Sequence, residues 1–332
     1  MLKNSDEKVL TLVGPTASGK TEISILLSHL ISSNLRKKTE IISADSRQIY
    51  KNIPIATSQP PPKYLMKVKH HFMNELELDK EFNAGEFGRV ARIVVQKIFK
   101  QNKVPIIVGG SGLYVNSLIY GLFDFDELVT GLGTENEIKK KLKDIRKKLY
   151  SKLEEEGINN LFIELKKVDP LSAKKIILQN KRRIIRALEV YYLTGVPISE
   201  FHQKKTKIRF KPIQIGLHWD RTKLYDRINN RVDKMIKSGL IEEITKLKRN
   251  GYSYKKYNSL NTVGVKEVFD YLEGKIDYNR MVELIKQNTR RFAKKQITWF
   301  RKDKNIFWIS LNDENDFEEA ARLIFNSFYG IK

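Results

Sequence analysis

The chain has 332 residues, enough for one large domain or two modest ones with a real core, and 41% of them are hydrophobic. Lys and Arg number 62 against 39 Asp and Glu, a net charge of +23 that points to a polyanionic partner. The complete lack of cysteine excludes disulfides, thiolate nucleophiles and zinc fingers.

Met1 to Leu10 is polar and charged, with neither the apolar stretch of a secretory signal nor an Arg-rich transit pattern. No apolar run approaches the ~20 residues that span a bilayer, so the protein is expected to be soluble, cytoplasmic and without a membrane partner. Residues 9–13 read as a strand ending in glycine, and 21–32 have helical periodicity. Residues 40–44 and 104–108 read as further strands, the latter again ending in glycines, and 212–219 and 305–311 as later ones. This alternation predicts an α/β fold with a parallel sheet, whose ligands belong at the carboxyl ends of the strands.

Between about residues 123 and 201 the texture changes. An acidic, Gly-containing loop at 123–136 leads to Lys-rich helical patterns at 137–153 and 171–194. The chain therefore divides into a first part of the core (1–122), a helical insertion (123–201) and a completion of the core (202–332). The last part holds helices at 223–237, 240–249 and 278–300. With no strong apolar seam, a monomer is expected.

Gly14, Pro15, Thr16, Ala17, Ser18, Gly19, Lys20 and Thr21 fit the phosphate-loop pattern GxxxxGK[ST], between a strand and a helix. The glycines let backbone N–H groups turn toward a phosphate, and the helix N-terminus adds partial positive charge. Lys20 supplies a point charge and Thr21 a hydroxyl for Mg²⁺. This loop marks a diphosphate or triphosphate site without saying which, and most such proteins are NTPases or kinases. The base-reading Asn-Lys-x-Asp of GTPases is absent. Asp45, directly after the second strand, reads equally as a more distant Mg²⁺ partner or as a general base.

Further motifs follow in order: Asp45-Ser46-Arg47-Gln48, then Gly109-Gly110-Ser111-Gly112, then Arg182-Arg183-Ile184-Ile185-Arg186. Val263-Gly264-Val265-Lys266-Glu267 and Thr289-Arg290-Arg291 leading to Gln296-Ile297-Thr298-Trp299 complete the set. Together with the phosphate loop, which makes the core resemble a P-loop NTPase-like fold, these resemble the tRNA dimethylallyltransferase family across most of the chain. The missing cysteines exclude the zinc finger of eukaryotic members, so the resemblance is to the bacterial type.

The resemblance implies that the loop holds dimethylallyl diphosphate with Mg²⁺, and that Asp45 is the general base on the N6 amine of adenosine 37 in tRNA. Ser111 matches a hydroxyl contacting the reacting centre, and Lys20 completes the catalytic set. Arg227 and Arg231 match a basic helix near the donor diphosphate. Contacts to the tRNA anticodon stem-loop are implied for Asp45, Ser46, Arg47 and Gln48, for Arg182, Arg183, Ile184, Ile185 and Arg186, and for Asn261, Thr262, Val263, Gly264, Val265 and Lys266. Lys139 stands nearest to an arginine the family places in this region. Departures are Gln59 in place of a lysine, Val265 in place of a tyrosine, and the longer acidic loop. His70 and His71 are assigned no chemistry.

Residues 174–209 carry ten Lys or Arg and two acids, with Tyr191, Tyr192, Phe201 and His202 interleaved, as RNA binding requires. Ile184, Ile185, Leu188 and Tyr192 also fit the buried face of an amphipathic helix. An enzyme that prenylates free adenine nucleotides would have little use for this basic insertion. A small-molecule kinase would leave the Gly109–Tyr114 motif and the net charge of +23 unexplained.

Overall fold

The structure is a computed structural model that describes residues 7–121, 133–203 and 208–330. It contains a six-stranded sheet of β1 (Lys8–Val13), β2 (Thr39–Ser43), β3 (Lys69–His71), β4 (Val104–Gly109), β5 (Lys211–Trp219) and β6 (Ile306–Leu311). The order is β3-β2-β4-β1-β5-β6 and every pairing is parallel. Parallel strands covered on both faces are mostly apolar, as the buried runs of β1, β2 and β4 are, with Thr11, Glu40 and Ser43 as buried polar exceptions.

Register decides where the site lies. Val13 stands opposite Gly109, and Ser43 opposite Val108. The segments after β1, β2 and β4 therefore leave the sheet side by side at its carboxyl edge, where the chain reverses strand order.

In chain order the helices of the first half are α1 (Lys20–Leu35), α2 (Pro62–Leu65), α3 (Ala84–Lys100) and α4 (Gly112–Ile119). Those of the basic segment are α5 (Glu135–Val168), α6 (Pro170–Lys175), α7 (Lys181–Thr194) and α8 (Ile198–Phe201). Then come α9 (Arg221–Lys237), α10 (Leu240–Arg249), α11 (Val265–Leu272), α12 (Tyr278–Phe300) and α13 (Asp316–Tyr329). Ile23, Leu27 and Ile31 of α1 meet Phe317, Ala321 and Ile324 of α13 in one core with β1, β5 and β6.

The chain divides into two units: residues up to Ile119 with those from Ile208 onward, and the segment Tyr120–Lys207. The second unit is helical, with a core of Leu149, Leu161, Leu165, Ile184, Ile185, Leu188 and Phe201. Two differences from the periodicity reading occur there. The run 171–194 is interrupted, because Ile176 turns extended and Asn180 caps α7 by accepting from Arg183 N at 3.3 Å. The long α5 is two helical stretches meeting at Gly157, whose φ of 79° ends a helix. Most of the acidic loop, and Lys204, Lys205 and Lys207, lie outside the described residues.

Candidate active site

The phosphate loop leaves β1 at Gly14 and returns into α1. Gly19 has φ 89°, and a Cβ there would stand 2.5 Å from the Phe317 ring, so only glycine fits. Ala17 also sits in the left-handed region, at φ 63°. Its carbonyl is held by Arg227 Nε at 2.8 Å, and Trp219 Nε1 donates to the neighbouring Ser18 carbonyl at 3.1 Å. Arg227 is itself fixed, 4.3 Å from the centre of the Trp219 ring and paired with Glu314 at 2.6 Å.

Lys20 Nζ folds into the loop and donates to the Pro15 carbonyl at 2.6 Å. Burial, then the charge of Arg231, pulls its pKa down to about 7 against the opposing pull of Asp45 and Glu22. Burial likewise lowers Arg231, whose charge is favoured by Glu22 and Asp45. Two cations and two carboxylates thus share the space beside the loop. The Thr21 hydroxyl takes no partner among the described residues, and no group of three or more His, Asp or Glu there could hold a metal ion.

Asp45 lies two residues beyond β2, and its Oδ1 accepts from Arg47 N at 2.8 Å and Gln48 N at 3.3 Å, which turns the chain sharply. Ser111 follows β4. Its N–H donates to the Ala44 carbonyl at 3.3 Å, and its Oγ accepts from Ser46 N at 3.1 Å. The carboxylate turn and the Ser111 hydroxyl are therefore locked together beside the phosphate loop.

A family model described as IPP transferase matches residues 48–303. The chain belongs to the IPP transferase family. A tRNA dimethylallyltransferase of Natranaerobius thermophilus is 40% identical over 316 residues, covering 95% of this chain and 90% of that one. One from Christiangramia forsetii is 42% identical over 320 residues, covering 96% of each. Among solved structures, the full-length tRNA isopentenylpyrophosphate transferase of Bacillus halodurans matches with TM-score 0.66 at 34% identity, covering 98% of this chain and 96% of that one. A eukaryotic dimethylallyltransferase acting on tRNA matches with TM-score 0.80 at 28% identity, covering 98% and 80%.

In this IPP transferase the segments singled out in the sequence divide into groups. Arg47 Nη1 donates to the Asn258 carbonyl at 2.5 Å, which ties the Asp45 turn to the chain leading into Asn261–Lys266. There Asn261 and Lys266 are exposed, Thr262 and Val263 half-buried, and Gly264 and Val265 buried. Lys139, Arg182, Arg183 and Arg186 belong to the helical unit, with Arg182 and Arg183 exposed in the first turn of α7. Arg186 pairs with the buried Glu189 at 3.3 Å, which Arg146 also grips at 2.5 Å.

Several expectations are corrected. Ile184, Ile185 and Val265 are core side chains, 0%, 3% and 0% exposed, so they support the backbone and do not reach RNA themselves. Tyr192, read as buried, is exposed. The Gln48 amide is spent inside the protein: it accepts from Ser43 Oγ at 3.0 Å and donates to the Thr57 and Ser58 carbonyls. Arg227 grips the loop backbone through Nε and Glu314 through Nη1. Arg231 donates from Nε to Ser58 Oγ at 3.1 Å. Gln59, expected from the resemblance to be a lysine, donates to the Gln48 carbonyl at 2.9 Å and pins the same turn.

The sequence motif that contains Gln296 gives that residue no role of its own. In the fold it lies on the buried stripe of α12 with Met281, Ile285, Ala293 and Phe300. A polar residue at an apolar-face position is the signal that marks it.

Proposed function

We propose that the protein transfers a dimethylallyl group from dimethylallyl diphosphate to N6 of adenosine 37 in the anticodon stem-loop of tRNA, releasing diphosphate. Membership of the IPP transferase family supports this, and the observation that carries the residue roles is the convergence of three loops at one sheet edge. The loop after β1 is a diphosphate cradle, Asp45 after β2 a base, and Ser111 after β4 a hydroxyl beside that base.

Charge builds on the diphosphate oxygens as the allylic C–O bond breaks. Backbone N–H groups of the loop and the Lys20 ammonium stabilise it. Arg231 adds positive charge to the same space. Mg²⁺ fits here, because it keeps waters and phosphate oxygens in most of its positions and needs few protein ligands. Thr21 would hold it, and it would act as a Lewis acid on the leaving group. The adenine amine is a poor nucleophile while its lone pair is delocalised into the ring. Asp45 takes the proton that becomes acidic as the N–C bond forms. Its Oδ1 is anchored by the turn, so Oδ2 is the oxygen assigned this role. Ser111 Oγ, beside that turn, is assigned to orient the amine.

A base in a single-stranded loop is unstacked at low cost, which suits adenosine 37. Arg182, Arg183, Lys139, Asn261 and Lys266 are assigned to the stem-loop. The acting species in this reading is the monomer, and tRNA as acceptor suits a cytoplasmic enzyme. The deciding experiment incubates protein, Mg²⁺ and labelled dimethylallyl diphosphate with unmodified tRNA, AMP or ATP. Label is expected in tRNA alone. Label in AMP or ATP moves the assignment to free-nucleotide prenylation, and ATP hydrolysis without label overturns it.

A further inference from the structure

The phosphate loop and the Ser111 loop leave different strands, yet catalysis requires a fixed distance between leaving group and acceptor. One side chain joins them. Gln296 is 6% exposed on α12. Its Oε1 accepts from Thr16 N in the phosphate loop at 2.8 Å, and its Nε2 donates to the Gly110 carbonyl, next to Ser111, at 2.9 Å.

The fit leaves no slack. A Cβ on Gly110 would stand 2.4 Å from Gln296 Nε2, so the loop passes the amide as closely as glycine permits. On the same helix, Trp299 lies against Gly112, where a Cβ would stand 2.1 Å from its ring. Only a neutral amide, or its isostere, offers an acceptor to Thr16 and a donor to Gly110 from one planar group.

We infer that Gln296 is a positioning residue that sets the spacing between the diphosphate cradle and the Ser111–Asp45 acceptor pocket. This rests on the transfer reaction proposed above. It acts through the two loops and touches neither substrate. Its removal should slow the chemical step more than it weakens substrate binding, since misplacement of reacting groups by about 1 Å costs on the order of 10²-fold.

The test uses the full chain with Q296M and Q296E. Q296M keeps the length and makes neither bond. Q296E keeps the acceptor for Thr16 but faces the Gly110 carbonyl with an oxygen. Burial raises the pKa of such a carboxyl, so lowering the pH from about 8.5 to about 6 protonates it and restores a donor. Expected are a kcat about 10–100-fold below wild type for Q296M at every pH, with KM for tRNA and for dimethylallyl diphosphate within about threefold. The Q296E to wild-type kcat ratio should rise as pH falls, while the Q296M ratio stays flat. Q296M with wild-type kcat overturns the inference. So does a Q296E ratio as flat as that of Q296M, or a fall in kcat that tracks the folded fraction seen by circular dichroism. Wild-type protein that prenylates nothing overturns the functional reading, and the inference with it.

Discussion

Asp45 has two jobs that substitutions can separate. One oxygen turns the chain, by accepting from Arg47 N and Gln48 N, and the carboxylate charge is the base proposed above. Asp45→Asn keeps an amide oxygen for the turn and removes the base. It should lower kcat by about 10²–10⁴-fold with an unchanged Tm. Asp45→Ala removes the turn as well, and each missing hydrogen bond costs about 1 kcal/mol. Equal thermal melts for the two variants would show that the turn does not depend on the carboxylate. Lys20 gives a second prediction at this scale. With its pKa at about 7 in the free protein, it is largely neutral above that value and charged below it. A bound diphosphate favours the ammonium and raises the pKa. Binding should therefore take up a proton at about pH 8 and almost none at about pH 6. Calorimetry in buffers of different ionisation enthalpy measures this, and Lys20→Arg, charged throughout, should abolish the uptake.

At the scale of elements, the edge strand β3 shows what pattern reading can and cannot see. Residues 9–13, 40–44 and 104–108 stand out as largely apolar runs, because strands buried on both faces show no regular polar alternation. Lys69, His70 and His71 carry no such run. They pair with β2 through the backbone, Lys69 opposite Glu40; the Glu40 side chain, 5% exposed, receives His71 Nε2 at 2.6 Å and Lys103 Nζ at 2.5 Å. A polar cluster linking residues so far apart in sequence has no local signature. The same holds for Gln296 and for the inward-turned amide of Gln48, whereas the phosphate loop is legible because its chemistry lies in consecutive residues. Burial would raise the Glu40 carboxyl, yet the bonds from Lys103 and His71 outweigh it and hold the pKa below its ordinary value. The cluster is thus fully stabilising above the ordinary carboxylate range and fades as pH falls through the lowered pKa. Glu40→Gln should cost about 1–3 kcal/mol near pH 7 in denaturant unfolding. The difference from wild type should shrink well below pH ~4. A difference constant with pH would mean that the carboxylate charge contributes nothing.

For the whole molecule, the question is whether a net charge of +23 is a binding device or an ordinary lysine-rich surface. No helix among the described residues is long and apolar enough to cross a membrane, so the charge does not flank a helical span. Its placement on α7 bears on the answer. The first turn carries Lys181, Arg182 and Arg183 and no acid, although a helix N-terminus disfavours cations by about 0.3–1 kcal/mol each. A surface selected only for solubility would put acids there. Phosphates brought to this end would be met by the three side chains and the helix dipole together. The double variant R182Q/R183Q should therefore fold at least as stably as wild type, because a local repulsion is relieved. Its tRNA affinity should fall, and the slope of log K against log salt should shrink by about 0.7–0.9 for each phosphate that is no longer neutralised. Filter binding across a salt series gives both quantities. A weakened affinity with an unchanged slope would mean that the arginines act through shape alone. Unchanged affinity and slope would return them to solvated surface. A shallower slope with an undiminished melting temperature is the result that dedicated RNA binding by α7 requires, since it separates the charge that binds from the charge that merely surrounds the fold.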